Sequence, residues 1–276
     1  MWFQANGIPA LGEKEYSEHI VYGIPDVLGS ARERYSNRRV LVVGGGHSAF
    51  NSLQDLVALA RVATDTRVSW AIRGASLERI LGGGENDQLE QRGKLGLKIR
   101  QLLEDGAITL YQGFRITRVA ASPEGLVVHS GEQALPPVDE VIVATGFRPN
   151  LQLLAELRLA LDPATGSPIK LAPLIDPNEH SCGTVRPHGV QELAHPDEGV
   201  FITGMKSYGR APTFLMLTGY EQVRSVAAAL AGDWESAGKS ELVLPETGVC
   251  NTQFSDHVKQ PACCPPAAAC SALATQ

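Results

Sequence analysis

The passage Arg39-Val40-Leu41-Val42-Val43-Gly44-Gly45-Gly46-His47-Ser48-Ala49 constrains the fold more than any other part of the chain. A short, valine-rich apolar run has the length and composition of a buried parallel strand. It leads straight into Gly44, Gly46 and Ala49, spaced G-x-G-x-x-A, and then into a helical pattern. Gly44 permits a tight turn, Gly46 lets backbone approach a pyrophosphate, and Ala49 keeps the helix close to the strand. This strand–turn–helix context is what a dinucleotide-binding fingerprint requires. Gly44, Gly45, Gly46, His47, Ser48 and Ala49 are therefore candidate cofactor-binding residues. N–H groups at the helix start face the phosphates, and His47 and Ser48 either touch phosphate or cap the helix.

The second strand of such a unit ends where the adenosine ribose is read. An NAD site wants Asp or Glu there, to hold the 2′-hydroxyl. This chain instead reads Trp70-Ala71-Ile72-Arg73-Gly74, with Arg79 soon after. A guanidinium suits a 2′-phosphate, so Arg73 and Arg79 point to NADPH over NADH.

Periodicity organises the rest. A helix is expected over 47–61, with Ala49, Leu53, Leu56, Val57 and Ala60 on one face. A strand follows at 67–73, then a loop at Gly82-Gly83-Gly84. A helix over 88–104 carries Leu95, Ile99, Leu102 and Leu103 and ends at Gly106. Short strands are expected near 108–111, 114–120, 125–129 and 138–144. Strands after helices imply crossovers and a mainly parallel sheet, here with a small antiparallel insert. Residues 1–37 lack strong periodicity and read as an extended lead-in. Residues 151–198 are loop-rich, 199–204 form a further strand, and 211–231 form a helix opened by Pro212 and stopped by Gly232. Beyond about 240 lies a tail rich in proline, alanine and cysteine.

Bulk properties narrow the function classes. With 43% apolar and 20% charged residues in 276, the chain has the composition of an ordinary soluble protein with one large or two modest domains. A net charge of −6 argues against a nucleic-acid binder or an anionic-membrane binder. No apolar stretch approaches the roughly 20 residues of a membrane span. Met1-Trp2-Phe3-Gln4 lacks the basic and apolar regions of a signal peptide, so a cytoplasmic location is expected. Of five cysteines, Cys182 stands alone, while Cys250, Cys263, Cys264 and Cys270 crowd the C-terminal end, and none forms C-x-x-C. His180, His188 and His195 sit in the loop-rich region. His180, with Cys182 and Arg186, is a candidate substrate pocket.

Val40 to Leu53, Ala144-Thr145-Gly146 with Pro149-Asn150, and Gly199 to Gly204 together resemble the two-dinucleotide-binding-domain flavoproteins. That superfamily includes thioredoxin reductases and flavin-containing monooxygenases. The resemblance implies an α/β fold: a Rossmann-like NAD(P)-binding domain with a parallel sheet, plus the C-terminal part of a split FAD-binding domain. It sets expected boundaries at 1–37 (hinge), 38–145 (NADPH domain), 146–235 (second FAD half) and 236–276 (tail). FAD and NADPH are the implied cofactors. Ala144, Thr145, Gly146, Gly204, Met205, Pro212 and Thr213 are the implied flavin-side residues, with Met205 where the superfamily usually has Asp. The helix expected from Ala211 would aim its first N–H groups at the flavin. Met205, Phe214, Leu215 and Leu217 read as core packing.

Without C-x-x-C, thioredoxin-reductase chemistry is not expected, and the resemblance implies a monooxygenase-like transfer of hydride from NADPH to flavin. No counterpart of the first FAD half is legible. The expected partners are thus a small-molecule substrate or electron acceptor, a separate chain supplying that half, and a second copy in a homodimer. One alternative is an NADPH-binding fragment inactive alone. Another uses Cys263, Cys264 and Cys270 as soft ligands for arsenic or mercury, similar to the Cys-Cys tails of mercuric reductases. The same cysteines also suit a dithiol shuttle or an incidental low-complexity tail.

Overall fold

A computed structural model describes residues 8–82, 84, 90–177, 179–180 and 185–242. In chain order the strands are β1 (Ile20–Tyr22), β2 (Arg39–Val43), β3 (Arg67–Ala71), β4 (Thr109–Tyr111), β5 (Arg118–Ser122), β6 (Gly125–Ser130), β7 (Gln133–Ala134) and β8 (Glu140–Val143). The helices are α1 (Arg32–Tyr35), α2 (His47–Ala60), α3 (Glu78–Leu81), α4 (Glu90–Glu104), α5 (Ala172–Ile175), α6 (Val190–Leu193), α7 (Met216–Leu230) and α8 (Trp234–Gly238).

β1, β8, β2, β3 and β4 form, in that spatial order, a parallel five-stranded sheet. β5, β6 and β7 form a separate antiparallel meander. The two-residue period of β2 divides the core. Val40 and Val42 face α2 and α4, packing with Phe50, Leu53, Leu56 and Ile99. Leu41 and Val43 face the meander, packing with Val119, Leu126 and Val128. Both faces are covered, which is why β2 reads as a continuous apolar run. A third core joins α5, α6, α7 and α8 through Leu171, Ile175, Leu193 and Val226.

Arg39 and Asp139 fasten β2 to the start of β8. The Arg39 backbone N–H donates to Asp139 Oδ2 (2.7 Å), and its guanidinium reaches Oδ1 at 2.6 Å. The arginine's hydrogen bonds hold the Asp139 carboxyl below the usual carboxylate range.

The α/β architecture, the parallel sheet and its antiparallel insert follow the sequence pattern. Four local expectations are corrected. The stretch 114–117 is not a strand: Phe114 N–H donates to Ile72 O (3.0 Å), so this segment carries the chain from the parallel sheet to the meander. Residues 199–204 make only an isolated antiparallel bridge, Ala194 with Phe201, because no longer partner lies beside them among the described residues. The helix expected from Ala211 begins at Met216, since Leu215 is extended at its N-terminal boundary and Phe214 packs edge-on against Tyr208 (5.2 Å). The lead-in holds α1 and also β1, which pairs with β8.

Two outcomes are expected. A Cβ at Gly96, inside α4, would overlap the Leu81 carbonyl oxygen of α3. Helix propensity alone favours alanine over glycine, but overpacking reverses the sign. Gly96→Ala should cost about 2 kcal/mol in urea unfolding. Asp139→Asn should lower Tm at pH 7. Because the folded carboxyl titrates below its unfolded value, the stabilisation it gives is present above that value and lost as pH falls through the folded one. The Tm deficit of the variant should therefore fade below about pH 4.

Candidate nucleotide and flavin site

β2 delivers the chain to Gly44, whose φ of +131° lies in the region that favours glycine. A Cβ there would overlap the Ala144 carbonyl oxygen. Gly44 N–H donates to Ala71 O (3.1 Å), and Ala144 N–H to Val43 O (2.7 Å). The ends of β3, β2 and β8 thus meet at one glycine. Gly46 stands at the boundary of α2 with an extended backbone (φ −100°, ψ 175°). No atom lies within 4 Å of where its Cβ would stand. Ala49 and Phe50 N–H groups turn back onto the Gly46 carbonyl (2.9 and 3.2 Å). Ahead of them the positive end of the α2 dipole faces the open space over Gly46, which suits a phosphate. Gly45 and His47 are exposed and Ser48 is half-buried. Ala49 is fully buried against the sheet, as close helix–strand packing demands.

Arg73 lies two residues beyond β3, exposed, with no hydrogen-bond or ion-pair partner among the described residues. Ile80 on α3 brings this end toward the glycine turn. Its Cδ1 is 3.1 Å from where a Gly45 Cβ would stand and 4.0 Å from the equivalent point at Gly74. α3 is held in turn by Glu78, which accepts two hydrogen bonds from Arg100 of α4 (3.0 and 2.7 Å). Arg79 belongs to α3, and its side chain lies outside the described residues.

Of the residues expected on the flavin side, Ala144 is buried, Thr145 half-buried and Gly146 exposed at φ +105°. Lys206 connects this segment to the Gly204–Tyr208 turn: its Nζ donates to the Asn150 carbonyl at 3.0 Å. Gly204 has φ +70°, and open space lies where a Cβ would stand at either Gly146 or Gly204. The Thr213 hydroxyl is buried without a hydrogen-bond partner among the described residues. Pro212 and Thr213 lie in the turn before α7, so no helix N-terminus is presented there. Met205 and Leu217 are exposed, Met205 by 69%, so they do not pack in the core. Phe214 does pack there.

Sequence reasoning missed the group that holds this turn. Gln222, fully buried, accepts from Gly204 N–H (2.7 Å) and donates to Ser207 Oγ (2.9 Å) and to His188 Nε2 (2.9 Å). Ser207 Oγ donates to the Gly204 carbonyl (2.7 Å). His188 Nδ1–H then donates to Arg186 O (3.1 Å), and burial pushes the imidazole below its usual pKa, so it stays neutral. His188 is a structural histidine. His195 accepts from Ala160 N–H through Nδ1 (3.2 Å), and His180 Nε2 bonds Pro173 O (2.9 Å). Cys182, Cys263, Cys264 and Cys270 lie outside the described residues. No cluster of His, Cys, Asp and Glu suited to a metal occurs among the described residues, and none of their helices is long and apolar enough to cross a membrane.

A helix start open to phosphate, at the carboxyl ends of parallel strands, defines a dinucleotide-binding protein. A family model described as pyridine nucleotide-disulphide oxidoreductase matches residues 16–174. The ferredoxin–NADP reductase of Salinispora arenicola (strain CNS-205) is 31% identical over 154 residues, 55% of this chain and 40% of that protein. The bacillithiol disulfide reductase Bdr (YpdA) from Bacillus cereus superposes with a TM-score of 0.56 at 18% identity, over 82% of this chain and 58% of that one. The HOCl-induced flavoprotein disulfide reductase RclA from Escherichia coli, as a mutant in complex with Cu(II), gives 0.54 at 14% identity, over 83% and 42%. The chain belongs to the pyridine nucleotide-disulphide oxidoreductase family. It spans less than half the length of the curated relatives it matches.

Gln222→Leu should leave the Gly204 N–H and His188 Nε2 buried without partners. A stability loss of about 2 kcal/mol in chemical unfolding is the expected outcome.

Proposed function

We propose that this chain binds NADPH and delivers its reducing equivalents within a flavin-dependent, monooxygenase-like oxidoreductase. The observation that carries the NADPH assignment is Arg73, exposed just past β3 and brought toward the Gly44–Ala49 turn by Ile80, where an NAD site would place a carboxylate. The turn and the start of α2 hold the pyrophosphate through backbone N–H groups. Arg73 and Arg79 hold the 2′-phosphate as charge-assisted donors. Ala144, Thr145, Gly146, Gly204, Met205, Pro212 and Thr213 form one edge of the flavin site, with Met205 contributing backbone only. FAD supplies the hydride-accepting and acceptor-reducing chemistry when bound. The first FAD half of the superfamily fold completes the site, in a cytoplasmic setting.

A second reading has the electrons leave to a protein carrier. It is favoured by the identity with the Salinispora reductase, named for ferredoxin and NADP.

Arg73→Ala tests the cofactor assignment. Removing a charge-assisted contact should raise the Kd for NADPH roughly tenfold to a hundredfold and leave that for NADH unchanged, as read by titration calorimetry. Equal losses for both nucleotides would overturn it.

A further inference from the structure

We infer that Trp70 is a positioning residue for the nucleotide site: its indole N–H fixes the Gly44 carbonyl and thereby aims the peptide that meets the pyrophosphate. The inference rests on the NADPH-binding reading above.

Trp70 is fully buried in the centre of β3, opposite Val42 on one side and Leu110 on the other. Its Nε1–H donates to Gly44 O at 2.7 Å. An indole N–H is a donor only, and a buried one requires an acceptor. Here the acceptor is the carbonyl of the residue on which the phosphate turn pivots. That carbonyl shares a planar trans peptide with the Gly45 N–H, so the two point in opposite directions. Drawing the oxygen inward to the buried indole therefore turns the Gly45 N–H outward, toward the exposed side. Gly44, Gly45 and Gly46 have no side chains of their own to set this orientation, and glycine backbone is permissive. The constraint has to come from elsewhere in the fold, and the indole provides it.

The same ring also braces the helix start. Phe50 meets Trp70 edge-to-face (5.8 Å, 84°), and His47 meets Phe50 in the same way (5.9 Å, 86°). One side chain on β3 thus orients both parts of the anion cradle, the glycine peptide and the first turn of α2.

The experiment is calorimetric titration of the full chain with NADPH and NADH. It compares the wild type with Trp70→Phe, with 3-benzothienylalanine at position 70, and with Ile99→Ala. The benzothienyl ring keeps the two-ring shape and removes only the donor. Ile99→Ala loosens the same core without touching the hydrogen bond. Both substitutions at position 70 should raise the Kd for both nucleotides by the same factor, about tenfold, because the pyrophosphate is common to them. Ile99→Ala should keep wild-type affinity despite its lower Tm. Wild-type affinity in the benzothienyl protein overturns the inference, as does an equal loss in Ile99→Ala. A wild-type chain that binds neither nucleotide overturns the NADPH reading itself, whereas wild-type binding retained by the position-70 variants overturns only the role of Trp70.

Discussion

The backbone of Gly44 rests against the carbonyl of Ala144, with no room for a side chain between them. The geometry of the candidate nucleotide turn depends on this contact. It closes the C-terminal ends of β2 and β8 onto each other and turns the chain upward into α2. It also places the glycine turn next to the Ala144-Thr145-Gly146 segment. The hydrogen bonds from Gly44 to Ala71 and from Ala144 to Val43 extend the same joint to β3. A residue larger than glycine would separate the strand ends.

What was legible in the sequence was what is encoded locally. β2, the glycine turn and α2 are contiguous, and their period, apolar run and small residues state the fold within about twenty positions. α4 ends where its glycine says it should: Gly106 has φ +69°, and Ala107 N–H closes back onto the Leu102 carbonyl. What was not legible depends on partners far away. β1 is three residues long and exists because β8 lies beside it. The start of α7 is set by Phe214 packing on Tyr208 rather than by Pro212. In the candidate site, Gly44 to Ala49 and Arg73 were readable from motif and position. Gln222 and Trp70 were not, because a buried glutamine or tryptophan carries no local signal of which distant backbone it will bond.

Those distant bonds have a common logic. The two turns at Gly44 and Gly204, the candidate cofactor turns, are built on glycines and therefore contribute little to their own rigidity. Each is held from behind by buried side-chain donors or acceptors. Trp70 takes the Gly44 carbonyl, and Gln222 takes the Gly204 N–H while Ser207 takes its carbonyl. The buried face of α7 accordingly mixes Thr218, Gln222 and Ser225 with the apolar Val226 and Ala229, while its outer face exposes Met216, Tyr220, Val223 and Leu230.

β1 and β8 also bear on how such a domain travels. The chain leaves β1 at Gly23 and comes back at Val143, and a single hydrogen bond of 3.0 Å joins those two residues. Everything between them, the whole glycine turn and its supporting core, is an excursion that starts and finishes at one point in space. A unit with this geometry can be spliced into a host chain without pulling the host's own ends apart, since the gap it must bridge is already closed. Its nucleotide site is portable for the same reason: the residues that shape and brace it, from Gly44 through Trp70 to Ala144, lie within or immediately beside the closed excursion and move with it.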